Sequence, residues 1–256
     1  MDTQLADRVA IVTGGGQGIG EGIALKLAEE GSQVVVVDQN EATAEAVASR
    51  IRTLGRKALA FQVDVSSWDH VRAMVDRVAA EFGRVDILVN NAGISPKKDG
   101  RKILVHDIEP EQWDLVMAVN LKGAFHCIKA VAPIMMRQRY GRIVSISSQS
   151  AKIGFSGPAA AHYAASKAGV SALTRFAAHE FAPYGILVNA VAPGTIQTPM
   201  RKLTIPEVDN QAIADIPLAR FGTIEEVANA VVFLASDLAS YITGEVMDVN
   251  GGSVID

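Results

Sequence analysis

The 256-residue chain has a single cysteine, Cys127, so it can form neither an internal disulfide nor a thiolate cage for a metal. Positive charge is not in excess. The 24 Lys and Arg stand against 28 Asp and Glu, a net charge of −4, which excludes the basic surface of a nucleic-acid binder. No run approaches the roughly 18 consecutive apolar residues of a bilayer span. The opening residues have no basic n-region, apolar stretch or cleavage signal, so the expectation is a soluble, cytoplasmic protein with no membrane partner. The five histidines, His70, His106, His126, His162 and His179, form no HxxxH or HExxH set, and no metal site is expected. Linkers rich in Pro, Gly or Ser, internal repeats and low-complexity tracts are absent as well, which implies one domain over residues 1–256.

What the chain does have is regular alternation of short apolar runs with longer helical patterns. That is the form of repeated βαβ units, and it predicts an α/β fold with a doubly wound parallel sheet of about seven strands and helices on both faces. Strands are expected at Val9–Val12, Gln33–Asp38, Ala58–Asp64, Ile87–Asn90, Arg142–Ser147, Leu187–Ala192 and Val246–Val249. Continuous runs such as Val34 to Val37 suit strands covered on both faces. Helices are expected at Gly20–Glu30, Glu41–Leu54, Trp68–Phe82, Glu111–Arg137, His162–Phe181 and Glu225–Ala235. Gly31 and Gly55 stand where a left-handed residue closes a helix, and Ser66 or Ser67 can cap the third. The irregular segment 199–217 follows the sixth strand, at the sheet edge where open α/β folds bind ligands, and is expected to be a lid.

After Thr13 the first strand runs into Gly14-Gly15-Gly16-Gln17-Gly18-Ile19-Gly20 and then a helix. A GxxxGxG spacing can be laid on Gly14, Gly18 and Gly20 or on Gly16, Gly20 and Gly22. The strand end favours the first, since Gly22 already lies inside the helix. Such a turn offers backbone N–H groups and a positive dipole end to a pyrophosphate. No Lys-Ser/Thr follows, so it is not a P-loop. A tight strand-to-helix turn with no ligand is the plainer alternative. Asp38 tells against it, because an acid at the end of the second strand, 18 residues past Gly20, can accept from both ribose hydroxyls and repels a 2′-phosphate. The expected cofactor is therefore NAD rather than NADP, and Gln17, where a cation would neutralise that phosphate, agrees.

Tyr163 and Lys167 lie one helical turn apart on one face. An ammonium beside a phenol, aided by an oxidised nicotinamide, favours phenolate, and such a Tyr can exchange a proton with an alcohol or ketone as hydride moves. One Tyr-x-x-x-Lys alone is a weak signal. Together with the glycine turn, Asp38, Asn90-Asn91-Ala92-Gly93 and Ile146-Ser147-Ser148, however, the chain resembles the classical short-chain dehydrogenase/reductase family over nearly its whole length.

The resemblance implies a Rossmann-type fold and an NAD-linked oxidoreductase acting on a secondary alcohol or ketone, such as a sugar, polyol or hydroxy acid. It implies a pyrophosphate site at Thr13, Gly14, Gln17, Gly18, Ile19 and Gly20, adenine contacts at Asp64 and Val65, and adenosine-side support from Asn91, Ala92 and Gly93. Nicotinamide contacts are implied at Pro193, Gly194, Ile196 and Thr198. Tyr163 matches the acid/base, Lys167 the residue that tunes it and binds the nicotinamide ribose, and Asn120 the residue that holds a relay water. The family commonly has its catalytic Ser 13 residues before the Tyr, which is Ser150 here. The Ser-Ser that closes the fifth strand points instead to Ser148, with two extra residues accommodated within 155–161. Ser148 is the choice, with Ser150 as a pocket neighbour. A homotetramer is implied through the helices 111–137 and 162–181 and the final strand. The pattern also resembles 3-oxoacyl carrier-protein reductases, against which Asp38 weighs because those usually use NADPH. A silent dinucleotide-binding regulator would have no need of Ser148, Tyr163, Lys167 and Asn120 together.

One motif stays outside this scheme. Lys97, Lys98, Arg101 and Lys102 put four cations into six residues of an acidic protein. They read either as a solvated loop or as a lure for an anionic substrate.

Overall fold

The computed structural model describes residues 2–153, 159–198 and 213–255. The lid expected at 199–217 falls mostly outside them, as do four of the residues expected to absorb the longer Ser–Tyr spacing, 155–158.

Seven parallel strands form one sheet in the order β3-β2-β1-β4-β5-β6-β7. They are β1 (Val9–Thr13), β2 (Gln33–Asp38), β3 (Ala58–Gln62), β4 (Ile87–Asn90), β5 (Gly141–Ile146), β6 (Ile186–Pro193) and β7 (Val246–Val249). The order reverses between β1 and β4, which pair through Ala10–Ile87, Ile11–Leu88 and Val12–Val89. At this switch point the loops leaving the carboxyl ends part and leave a crevice. Side chains alternate across the sheet. Val34 and Val36 pack with Ile23 and Leu27 of α1 (Gly18–Glu29), Val47 and Ile51 of α2 (Glu41–Thr53) and Val231 of α7 (Ile224–Ala235). Val35 and Val37 face the opposite layer, with Met74 and Val75 of α3 (Trp68–Phe82), Val131 and Met135 of α5 (Gly123–Gln138) and Ala177 of α6 (Ala161–Phe181).

The helices stop where the sequence supplies a cap. Gly31 and Gly55 take φ of 100° and 77° just beyond α1 and α2. Asn40 accepts the N–H groups of Ala42 and Thr43 to start α2, and Ser67, not Ser66, caps α3. Gly22 has a packing role, because a Cβ there would collide with Cγ2 of Ile224 where α1 crosses α7.

The helix expected at Glu111–Arg137 is a rod divided in three. α4 (Pro110–Met117) leads through a π-helical turn, Ala118–Lys122, into α5. By length and composition Pro110–Gln138 is apolar enough to cross a membrane. Half of its most apolar window is buried within the protein, with Val131 and Met135 in the core, so it is a core helix here.

Candidate active site

Each candidate residue sits at a carboxyl end of a strand or on the helix that follows. Gly14 and Gly18 adopt φ of 61° and 59°, values that favour glycine. A Cβ at Gly14 would press to 2.9 Å from the Ala92 Cα, and one at Gly20 would overlap the Gly14 carbonyl. The turn is therefore closed to side chains where a ligand must approach. Gln17 provides no side-chain cap for α1, so the first N–H groups of this 12-residue helix face outward without that acceptor. The arrangement fits the pyrophosphate of a dinucleotide.

Thr13 binds this turn to the segment after β4. Its hydroxyl donates to the Val89 carbonyl at 3.3 Å and accepts from the N–H groups of Asn91 and Ala92 at 3.1 Å each. The Asn91 side-chain amide donates to the carbonyls of Thr13 and Gly14, both at 3.0 Å. Asn91 and Ala92 thus act as braces of the phosphate turn. Asp38 is fixed at the turn's edge, with one carboxylate oxygen accepting from Gly16 N–H at 3.0 Å and the other from Asn40 N–H at 3.0 Å. Each oxygen keeps a lone pair for a ribose hydroxyl. At the position expected to meet the adenine, Asp64 accepts from the Ser66 N–H and hydroxyl, at 2.9 and 2.7 Å, and Val65 is buried.

The three serines of the β5 edge have separate tasks. The Ser147 hydroxyl bonds to the Lys167 carbonyl at 3.1 Å and to the Ser171 hydroxyl at 2.7 Å, which ties α6 to the sheet. The Ser148 hydroxyl accepts the Ser150 N–H at 3.1 Å and acts on the Tyr163 phenol, whose pKa it lowers. Ser150 lines an adjoining cavity. The structure therefore brings Ser148, not Ser150, to Tyr163.

Lys167 is 3% exposed, and its Nζ donates to the Ile146 carbonyl at 2.7 Å while lying 5.7 Å from the centre of the Tyr163 ring. Burial depresses its pKa to about 8. The Tyr163 phenol is pushed up by burial, with the Ser148 hydrogen bond working the other way. Burial is thus the largest influence on both groups.

Asn120 stands in the π turn and is 2% exposed. Its Oδ1 accepts from Ile94 N–H at 2.8 Å, and its Nδ2 donates to the Ile94 carbonyl and the Ser166 hydroxyl, both at 3.0 Å. Both amide hydrogens are engaged, so this side chain joins the segment after β4 to α6. Ser166, which sequence reasoning missed, relays the contact to the Tyr163 carbonyl at 2.7 Å. Only its place three residues past Tyr163 hinted at it. Gly93 lies against both groups, since a Cβ there would sit 3.4 Å from Asn120 Oδ1 and from Lys167 Nζ.

Pro193 ends β6, and Gly194 donates to the Val249 carbonyl at 2.9 Å. A Cβ on Gly194 would come within 2.7 Å of the Asn250 Cα. The Ile196 side chain is buried at the edge of the core and lines a cavity with Thr195 and Asn250. Thr198 is half-buried at the end of the described stretch.

A family model described as enoyl-(acyl carrier protein) reductase matches residues 14–253. The chain is 47% identical over 244 residues to a 3-oxoacyl-[acyl-carrier-protein] reductase of Staphylococcus aureus, covering 95% of this chain and 96% of that protein. Among solved structures it is similar to a 3-oxoacyl-[acyl-carrier protein] reductase with bound NAD from Brucella melitensis, with TM-score 0.91 and 37% identity over 98% of this chain and 92% of that one. It is also similar to levodione reductase, with TM-score 0.88 and 36% identity over 96% and 97% of the two chains. A dinucleotide turn at the switch point, with Ser148, Tyr163 and Lys167 gathered beside it, identifies the chain as a member of the classical short-chain dehydrogenase/reductase family, nicotinamide-dependent oxidoreductases that interconvert alcohols and ketones.

Proposed function

We propose that the protein is an NADH-linked reductase of 3-oxoacyl thioesters. The observation that carries the chemistry is the gathering of Ser148, whose hydroxyl lowers the Tyr163 pKa, with the Tyr163 ring and the buried Lys167, whose Nζ lies 5.7 Å from the centre of that ring. When bound, a nicotinamide dinucleotide would supply the hydride. Tyr163, held protonated by burial, is suited to donate a proton to the ketone oxygen as the adjacent carbon receives that hydride, and Ser148 donates a hydrogen bond to the same oxygen. The products are a secondary alcohol and a Tyr163 phenolate, whose charge Lys167 offsets. Asn120 positions the segment after β4 against α6.

The names of the curated relatives favour a thioester over the sugar, polyol or hydroxy acid expected first. The NAD preference rests on Asp38. Its carboxylate, fixed by Gly16 and Asn40, would repel a 2′-phosphate, and no cation faces it from Gln17. Exposed apolar side chains on α4, α5 and α6, including Leu115, Phe125 and Phe176, support a homotetramer, which light scattering would test by mass.

The test of the activity is turnover of a 3-oxoacyl thioester with NADH and with NADPH, beside a panel of sugars, polyols and hydroxy acids with NAD. Faster reduction of the thioester with NADH is expected. Turnover confined to the sugars or polyols would overturn the substrate class, and a preference for NADPH would overturn the role of Asp38.

A further inference from the structure

The cationic segment is a tight hairpin. Lys98 and Arg101 exchange backbone hydrogen bonds of 3.0 and 2.9 Å as an antiparallel bridge, with Asp99 and Gly100 at φ of 50° and 72° between them. Two successive left-handed residues in a two-residue loop make the turn that matches strand twist. Lys98 and Arg101 therefore stand directly opposite each other, on one face of the ribbon and both exposed. Like charges so placed repel, and the chain sets them there in a protein of net charge −4. An anion between them would turn that repulsion into attraction.

Beside the hairpin lies a cavity of about 200 Å³ lined by Lys102, Ile103, Leu104, Ser150, Ile153 and Ala164 among others. It shares a wall with the candidate active site, since the Ser150 N–H bonds to the Ser148 hydroxyl and Ala164 follows Tyr163 on α6. Apolar walls suit a neutral, flexible chain, and the cations of the hairpin that leads into Lys102 suit a negative group at its far end.

We propose that this cavity and hairpin hold the phosphopantetheine arm on which a carrier protein presents the substrate, with Lys98 and Arg101 contacting its phosphate. The proposal rests on the thioester reading above and gives the basic segment a substrate-binding role. The contact is exposed, so it acts through affinity and is weakened by salt over about 8 Å at physiological strength.

The test separates charge from shape and binding from turnover. Calorimetry on the NAD-loaded enzyme would compare phosphopantetheine with pantetheine, for the wild type, Lys98→Ser/Arg101→Ser and Lys98→Arg/Arg101→Lys. About tenfold tighter binding of the phosphorylated arm is expected in the wild type and in the charge-preserving swap, and none in the serine variant. Equal binding of the two arms by the wild type, or an advantage that survives both serines, overturns the site. In turnover the serine variant should raise KM for a carrier-borne 3-oxoacyl substrate about tenfold, with kcat within twofold. It should leave kcat/KM for the neutral N-acetylcysteamine thioester unchanged. An equal loss on both substrates would show that the hairpin only shapes the pocket. If the wild type reduces no 3-oxoacyl thioester, the activity reading fails, while the calorimetry still decides the hairpin.

Discussion

The side-chain amide of Asn120 donates to the Ser166 hydroxyl at 3.0 Å, and through it the π turn between α4 and α5 is coupled to the helix that bears Tyr163 and Lys167. The same amide holds both backbone groups of Ile94. Asn120→Ala would leave buried partners unsatisfied, at about 1–3 kcal/mol per group. It should lower both Tm and kcat. Ser166→Ala removes only the link to α6, and it should lower kcat with a smaller change in Tm. A Ser166→Ala enzyme with wild-type kcat would show that the link does not position Tyr163.

The serines of the β5 edge give a ranking. Ser148→Ala should cut kcat/KM by a factor of 10²–10³, on the scale of removing one preorganised donor. Ser150→Ala, which keeps the backbone N–H that Ser148 accepts, should cost less than tenfold. Steady-state kinetics of the two variants decide the assignment, and the reverse ranking contradicts it.

Lys167 should limit the stability of the cofactor-free protein. Its folded pKa of about 8 lies below the unfolded value near 10.5. The cost of charging it in the fold is therefore fully present below pH 8 and fades as pH rises towards 10.5. That cost is on the order of 3 kcal/mol. Lys167→Met should raise Tm of the cofactor-free protein at pH 7, with the gain shrinking by pH 10, and should abolish turnover. Thermal melts at the two pH values check the sign. A lower Tm at pH 7 would mean that the bond to Ile146 outweighs desolvation.

At the opposite end of the sheet, Asp86 is fully buried and accepts from Val9 N–H at 2.9 Å and from Arg84 at 2.7 and 2.6 Å. Asp86→Ala strands these donors and should destabilise the fold by about 3 kcal/mol. Activity per folded molecule should be unchanged, because the site lies at the carboxyl ends of the strands. Denaturant melts with active-site titration would show whether the two effects separate.

The strands were legible because valine and isoleucine runs bounded by glycine leave few alternatives, and six of the seven lie within one residue of their expected bounds at both ends. The third stops at Gln62, before the expected Asp64, which instead starts a turn by accepting from Ser66. The π turn at Asn120 was not legible, because an i→i+5 step leaves no compositional mark. The tasks of Ser147, Ser148 and Ser150 could not be divided by spacing, since each depends on which way a hydroxyl faces across β5 and α6. The environment of Lys167 was likewise hidden. Helical periodicity places it beside Tyr163 but says nothing of the Ile146 carbonyl beneath it.

The proposed reduction requires that Tyr163 deliver the proton while Asp38 and the glycine turn hold the dinucleotide independently of it. Single-turnover reduction of a 3-oxoacyl thioester by Tyr163→Phe, with NADH binding measured on the same sample, tests this most directly. At least a 10³-fold slower hydride transfer is expected, with the NADH Kd unchanged within twofold. A transfer rate within tenfold of the wild type would contradict it.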